Sequence, residues 1–335
     1  MRVAVFGATG VQGAAQISAL ASASHHAIAV TRRSVDPTTL KSSDADGDAA
    51  DAAARAALAA AAETRTADFT SVETLPAALA GADAVFLNLP SFQPREPLVA
   101  AAKAIGEEAA AQAATVKLVV FNTSFPVPEK DAGIEAQETR REMRRVLREA
   151  TKGSGVAVLS LQPVVYLDNL LEGWALPRLR DEGRIVYCHK PDLEVSWICH
   201  DDLAALMVAA LERDPKELDG RDIPVGGPET VRLSQLAAKL GRAWGREVGH
   251  ENQSVDDFAG EMAAALKGAL ESQSGKEVET VVEETRKAYT WYNEAEEKPF
   301  KVDMGPVLKE FPAKLTPIEE WGKRKGCPIK TKGGL

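Results

Sequence analysis

Cysteine occurs only three times in the 335 residues, at Cys188, Cys199 and Cys327, with no C-x-x-C spacing. An odd, scattered set of this kind excludes a disulfide framework and reads as reduced thiols, so the expected compartment is the cytoplasm. Histidine is nearly as sparse. His25 and His26 fall in a loop, and His189, His200 and His250 stand at no ligand spacing, so no metal site is expected. Long apolar runs are missing too: nothing approaches the roughly 18 residues that a membrane-crossing helix requires. The first strand begins at once, without a basic segment and apolar stretch before it, so no secretory leader is expected. Positive charge is in deficit, with 40 Lys and Arg against 49 Asp and Glu. A net charge of −9 disfavours nucleic acid and anionic membranes as partners, because both are held by basic surface. The expected partners are a small-molecule substrate and, at most, a second copy of the chain.

What is present starts at the first residue. A short apolar strand, Arg2 to Phe6, runs into Gly7, Gly10 and Gly13 at i, i+3 and i+6, and a helical pattern follows directly. A dinucleotide site needs this order of elements. One glycine makes the tight turn, one lets the backbone approach a pyrophosphate, and one lets the helix pack close to the strand. The free N–H groups and positive dipole end of the helix then face the phosphates. The candidate coenzyme contacts are Gly7, Thr9, Gly10, Val11, Gln12 and Gly13.

The second strand, 27–31, is followed by Arg32 and Arg33. An Asp or Glu in this place would hold the ribose hydroxyls of NAD, whereas arginine suits the 2′-phosphate of NADP. Planar guanidinium forks match phosphate oxygens, and no acidic residue competes before Asp36. The expected coenzyme is therefore NADP(H). Two solvated arginines at an exposed strand end are the plain alternative.

Strands and helices alternate through 1–160. The sequence predicts a third strand near 65–68, a fourth over 84–88, a fifth over 116–122 and a sixth over 156–160, with helices over 71–79 and 97–114. The alanine-rich stretch 52–62 predicts an exposed helix or an insertion outside the core. This alternation predicts an α/β fold, a Rossmann-type, doubly wound parallel sheet with right-handed crossovers. After Pro163 shorter strands (184–187, 195–198, 222–225) mix with helices over 202–211, 233–244 and 266–296. They predict a smaller C-terminal α/β substrate lobe over 161–335 beside an NADP-binding domain over 1–160, whose sheet later segments complete. The lobe closes over the carboxyl ends of the strands, where open α/β sheets bind ligands.

Two strand ends carry polar residues that face the nicotinamide half of such a coenzyme. The fourth ends in Asn88, Leu89 and Pro90, and the fifth in Asn122, Thr123 and Ser124. Either these groups orient coenzyme and a substrate carbonyl, or they are ordinary turn residues. Phe92 and Phe125 are candidate pocket walls. In the next helix, 136–150, Ala136, Thr139, Met143, Val146, Leu147 and Ala150 form one stripe, and Arg140 falls beside Met143 and Leu147. Arg140 is thus the basic side chain of the inward face, either a clamp for ribose or substrate oxygen or a side chain snorkelling from the stripe's edge.

With Gly7-Ala-Thr-Gly-Val-Gln-Gly13, Thr31-Arg-Arg33, Gly81-Ala-Asp-Ala-Val-Phe86, Val119-Val-Phe-Asn-Thr-Ser124 and Leu161-Gln-Pro-Val-Val-Tyr-Leu-Asp-Asn-Leu170 in this order, the chain resembles the NmrA-like family of atypical short-chain dehydrogenase/reductases. Val195 to Ala204, Gly226 to Glu229 and Leu315 to Trp321 extend the resemblance over essentially the whole length. It implies a Rossmann-type NADP-binding domain and a small substrate lobe. Members include reductases of quinones and of aromatic or alkene substrates, and NADP-sensing regulators without chemistry. The resemblance implies that Asp68 contacts adenine, with a turn aspartate as the alternative. It further implies that Pro163, Tyr166 and Asn169 lie beside the pocket, with Tyr166 equally readable as core.

Ordinary short-chain dehydrogenases carry Ser, then Tyr-x-x-x-Lys, and the usual interval from Ser124 lands on Gln137 and Arg141. Neither Tyr nor Lys is there, and Arg140 best matches the lysine that catalytic NmrA-like members often keep. The catalytic candidates are therefore Ser124, Arg140, Tyr166 and Lys130, with Lys130, Tyr166 or water as proton donor. His200 with Asp201 and Asp202 reads as a helix start with an N-cap aspartate. The preferred expectation is an NADPH-dependent oxidoreductase for a small apolar carbonyl, quinone or activated alkene held between Phe92, Phe125, Tyr166 and Trp174. A non-catalytic NADP(H)-sensing regulator is the alternative.

Overall fold

Successive residues of a strand enter opposite layers of the molecule, and the first strand, β1 (Arg2–Phe6), shows it plainly. Val3 and Val5 join one hydrophobic core while Ala4 and Phe6 join another on the other face. The computed structural model describes residues 1–32, 49–68, 71–90, 93–269 and 277–330. After β1 come α1 (Val11–Ser22), β2 (His26–Thr31), α2 (Ala49–Ala60), β3 (Glu63–Thr66), α3 (Leu75–Leu79), β4 (Ala84–Leu87) and α4 (Arg95–Ala111). Next are β5 (Leu118–Asn122), α5 (Glu135–Thr151), β6 (Ala157–Pro163), α6 (Leu176–Glu182), β7 (Arg184–Tyr187), α7 (His200–Ala210), α8 (Pro215–Leu218) and β8 (Asp222–Val225). The last are α9 (Leu233–Trp244), β9 (Gly249–Asn252), α10 (Val255–Ala269), α11 (Val278–Glu294), α12 (Met304–Glu310) and α13 (Ile318–Lys325).

Seven strands form one sheet in the order β3-β2-β1-β4-β5-β6-β8, and every pairing is parallel. The fold is the expected Rossmann-type α/β sheet, covered on both faces, which is why β4, β5 and β6 are buried along their whole length. Ile17 and Leu20 of α1, Leu58 of α2 and Leu206 of α7 pack on one face. Leu79 of α3, Leu98 and Ile105 of α4, and Met143 and Leu147 of α5 pack on the other. The strand order reverses between β1 and β4, and this switch point is where a crevice opens at the carboxyl ends.

Several expectations need correction. The alanine-rich helix is not outside the core: Ala54, Ala57 and Leu58 of α2 are buried, because three small or apolar residues on one stripe suffice against α1. The third strand runs over Glu63–Thr66, two residues earlier than expected, in register with β2. Residues 222–225, expected in the lobe, form β8 and complete the main sheet against β6. Residues 195–198 make only isolated bridges, Tyr166 to Ile198 and Val195 to Val231. The pattern over 266–296 covers the end of one helix, α10, and the whole of a second, α11, packed together. A second sheet pairs β7 with β9. No helix among the described residues is long and apolar enough to cross a membrane.

Candidate functional site

The glycine turn is fixed by its own backbone. Gly10 N–H donates to the Gly7 carbonyl at 2.9 Å, and Ala14 N–H donates to Gly10 to open α1. Gly7 has φ +71°, the left-handed region that glycine enters without cost. A Cβ on Gly13 would lie 2.2 Å from the Gly7 carbonyl oxygen, so close approach of helix and strand depends on its absence. Gly10 caps α1 without any side-chain hydrogen bond, so the first-turn N–H groups have no side-chain cap, the arrangement that a phosphate site requires. Thr9 and Val11 are exposed beside it.

Behind the turn, four amides join the switch point into one network. Gln16 and Asn88 exchange hydrogen bonds at 2.9 and 2.7 Å, and Asn88 also donates to the Phe6 carbonyl. Asn122 donates to Gln12 and to Asn88, and its own oxygen accepts from Ser124 N–H at 2.9 Å. The ends of β1, β4 and β5 are thereby held to α1 by a network anchored on the buried Gln16 and Asn122.

Ser124 follows β5 with φ +69°, an uncommon conformation for a residue with a Cβ. Its side chain lines the cavity described below, and no hydrogen-bond partner for its hydroxyl stands among the described residues. Thr123 differs: it is fully buried and its hydroxyl donates to the Phe125 and Leu161 carbonyls, so the turn reading describes it.

Arg140 is 1% exposed. Its guanidinium donates to the Leu89 carbonyl at 2.9 Å and the Pro90 carbonyl at 3.2 Å, and lies 5.6 Å from the centre of the Phe125 ring. The snorkelling alternative fails, because its head is buried rather than in water. Burial draws its pKa down to about 10, with Tyr166 opposing, so it stays a cation at neutral pH. Its polar contacts include carbonyls of the segment after β4 and the Met143 sulfur.

A cavity of about 350 Å³ runs from Val11 and Gln12 at the glycine turn to the α10–α11 pair. Phe125, Tyr166, Trp174, Tyr289, Tyr292 and Phe300 are its aromatic walls, and Ser124, Gln137, Asn169 and His200 add polar groups. The chain has four tyrosines; three line this cavity, and Tyr187 packs 5.4 Å from Trp174 just behind. The Tyr166 hydroxyl is buried without a hydrogen bond, and its ring lies 4.5 Å from that of His200. Burial pushes the Tyr166 phenol far up, with the nearby Asn122 amide pulling the other way. Burial likewise lowers the His200 pKa, so its ring is neutral.

The other candidates fall as follows. Arg32 is exposed just past β2, and Asp68 is half-buried past β3, where Thr74 bonds its backbone. Both lie at the sheet end that carries the glycine turn. Pro163 is the last residue of β6 and pairs with Val225, while Val164 and Val165 after it line the cavity. Lys130 is exposed on the loop after β5 and is not among the lining residues, so the geometry does not bring it to the cavity as a proton donor. Arg33 and Phe92 lie outside the described residues. The start of α7 is capped by Asp168, which accepts from His200 N–H at 3.0 Å, and not by its own aspartates. Asp202 instead holds Thr316 through backbone and side chain.

Sequence reasoning missed Gln137, Tyr289 and Tyr292 as cavity residues. The signal was there: Val281, Thr285, Ala288 and Tyr292 line the cavity at helical spacing along α11.

Comparison with known proteins adds to this geometry. The family model described as the NmrA-like family matches residues 1–321. An NAD(P)H azoreductase of Xenophilus azovorans is 32% identical over 190 residues, 56% of this chain and 60% of that protein. The matched segment thus spans three-fifths of the relative's length. A triphenylmethane reductase of Citrobacter sp., solved with NADP(H), superposes with TM-score 0.66 at 18% identity, over 97% of this chain and 99% of that one. NmrA, a negative transcriptional regulator, superposes with TM-score 0.67 at 17% identity, over 96% and 94%.

Proposed function

The chain belongs to the NmrA-like family, and on that premise we propose that it is an NADPH-dependent oxidoreductase reducing a small apolar carbonyl, quinone or activated alkene. One observation carries this reading: the glycine cradle opens directly into an aromatic-walled cavity large enough for a small ring system. The azoreductase and triphenylmethane reductase among the similar proteins support it.

The residues fit the coenzyme. The groove beside Gly7, Gly10 and Gly13 admits a pyrophosphate to the open N–H groups of α1, and Arg32, exposed past β2, is the residue assigned to the 2′-phosphate. Asp68 stands at the adenine end, and Asn88, Leu89, Pro90 and Asn122 frame the nicotinamide end. Bound NADPH supplies a hydride. The protein's own part is orientation: Ser124 and Tyr166 offer hydroxyls to a substrate oxygen, the rings exclude water, and Arg140 braces the segment after β4. Residues 1–160 with β8 form the coenzyme part, and the rest of 161–335 forms the substrate part.

Titration with NADPH and NADH, then loss of nicotinamide absorbance against quinones, aldehydes and enones, tests the proposal. Tight NADPH binding with turnover on at least one class is expected. Arg32→Glu should weaken NADPH binding about 10- to 100-fold and leave NADH nearly unchanged, as for loss of a charge-assisted phosphate contact. The second reading, a coenzyme-sensing regulator, is favoured by Gln137 and Arg141 standing where Tyr and Lys serve other dehydrogenases. NADPH binding without turnover on any acceptor would select it.

A further inference from the structure

The cavity contains a hydroxyl whose surroundings leave its hydrogen unclaimed. Tyr292 comes from α11 and Gln137 from α5, 155 positions apart, and the Gln137 amide donates to the Tyr292 oxygen at 2.8 Å. That bond fills the accepting side of the phenol. With the amide in this orientation the phenol hydrogen points elsewhere, no acceptor among the described residues takes it, and the Gln137 Oε1 is likewise buried without a partner. The ring cannot turn away to find one. It stacks on Phe300 with centroids 4.2 Å apart and meets Tyr289 edge-on at 5.4 Å. The side chain is 6% exposed, so water does not satisfy it freely.

The cavity wall that Tyr292 shares is largely apolar, with Phe125, Val281, Phe300 and Met262, and carries Gln137, Glu284 and Thr285 as its polar groups on α5 and α11. A donor fixed in such a setting favours a ligand that brings an oxygen lone pair on an apolar frame, because an unmet buried donor is costly. Burial also pushes the phenol up, so it remains protonated and able to donate.

We propose that Tyr292 is a further hydrogen-bond donor to a carbonyl oxygen of the substrate, beside Ser124 and Tyr166, with Gln137 as the positioning residue that aims it. This rests on the reductase reading above, and it extends the site to the helix pair that caps the cavity. The capping pair then contributes specificity for carbonyl-bearing rings over plain arenes, beyond shutting out water.

The test needs no coenzyme at its core. Binding of 1,4-naphthoquinone and of naphthalene is followed by quenching of tryptophan fluorescence in the wild type, Tyr292→Phe and Gln137→Leu, after melting curves confirm folding. Tyr292→Phe should weaken naphthoquinone binding about 3- to 10-fold, the worth of one neutral hydrogen bond, and leave naphthalene unchanged. Gln137→Leu should give a smaller loss with the same selectivity. Equal naphthoquinone affinity in wild type and Tyr292→Phe overturns the proposal. Equal weakening of both ligands also overturns it, since a packing role alone would produce that, and so does failure of the wild type to bind the quinone. A wild type that binds the quinone tightly yet reduces no acceptor with NADPH defeats the reductase reading while leaving the role of Tyr292 decided by the binding pair.

Discussion

The guanidinium of Arg140 donates to the Leu89 carbonyl at 2.9 Å, joining the middle of α5 to the segment that leaves β4. A side chain expected to clamp ligand therefore also holds the rim of the crevice in place. Replacing it by methionine removes a buried cation and leaves the Leu89 and Pro90 carbonyls without this donor. Arg140→Met should cost about 1–3 kcal/mol in urea unfolding, and NADPH affinity should fall as the rim loosens. Unchanged stability and affinity would refute the bracing role.

Two glycines separate close packing from backbone conformation. An added methyl at Gly13 meets the Gly7 carbonyl at 2.2 Å, whereas at Gly81, with φ +65°, it meets nothing within 4 Å. Gly81→Ala should cost only the left-handed strain, about 1–2 kcal/mol. Gly13→Ala should cost about 2–3 kcal/mol or more, and should also abolish NADPH binding by displacing the turn. Denaturation midpoints with a coenzyme titration on both variants read this difference directly.

Ser124 combines a strained backbone with a free hydroxyl, and two variants divide these properties. Ser124→Gly and Ser124→Ala both lose the hydroxyl, but only the first escapes the φ of +69°. The glycine variant should be about 1 kcal/mol more stable than the alanine variant. Turnover should fall equally in both if the hydroxyl orients substrate. A difference in turnover that tracks stability would assign the effect to the backbone instead.

His189 should make the protein acid-sensitive. It is 1% exposed, both ring nitrogens lack partners, and the rings of Tyr187, Trp197, Tyr289 and Phe300 enclose it. Burial holds its pKa down at about 3, against 6.5 for the free side chain. The unfolded chain therefore binds this proton first. Its effect on stability is absent above pH 6.5 and grows as a loss between pH 6.5 and 3, at about 1.4 kcal/mol per pH unit. His189→Phe should remove that part of the slope in unfolding curves taken from pH 7 to 4. An identical slope in both proteins would show that His189 is hydrated or paired in solution.

The glycine turn and the parallel sheet were legible because their causes are local. A tight turn needs glycine at fixed intervals, and a strand buried on both faces must read as a short apolar run, as 118–121 does. The helix α2 was misjudged because the sequence shows few large side chains, and only the neighbouring α1 reveals that alanines are enough to fill that space. The short strand β8 gave no sign of which sheet it joins, since four residues carry no information about a partner some sixty positions away.

What the chain alone determined, then, is the alternation of strands and helices through the first six strands, the glycine turn at the switch point and the basic residue just past β2, all set by spacing within a few turns of backbone. Only the folded molecule decided which distant side chains meet: Gln137 with Tyr292, Arg140 with Leu89, His189 with its ring of aromatics. Periodicity tells a residue which way to face. It does not say what stands opposite, because that depends on how helices cross and how the segments after β6 return to the sheet.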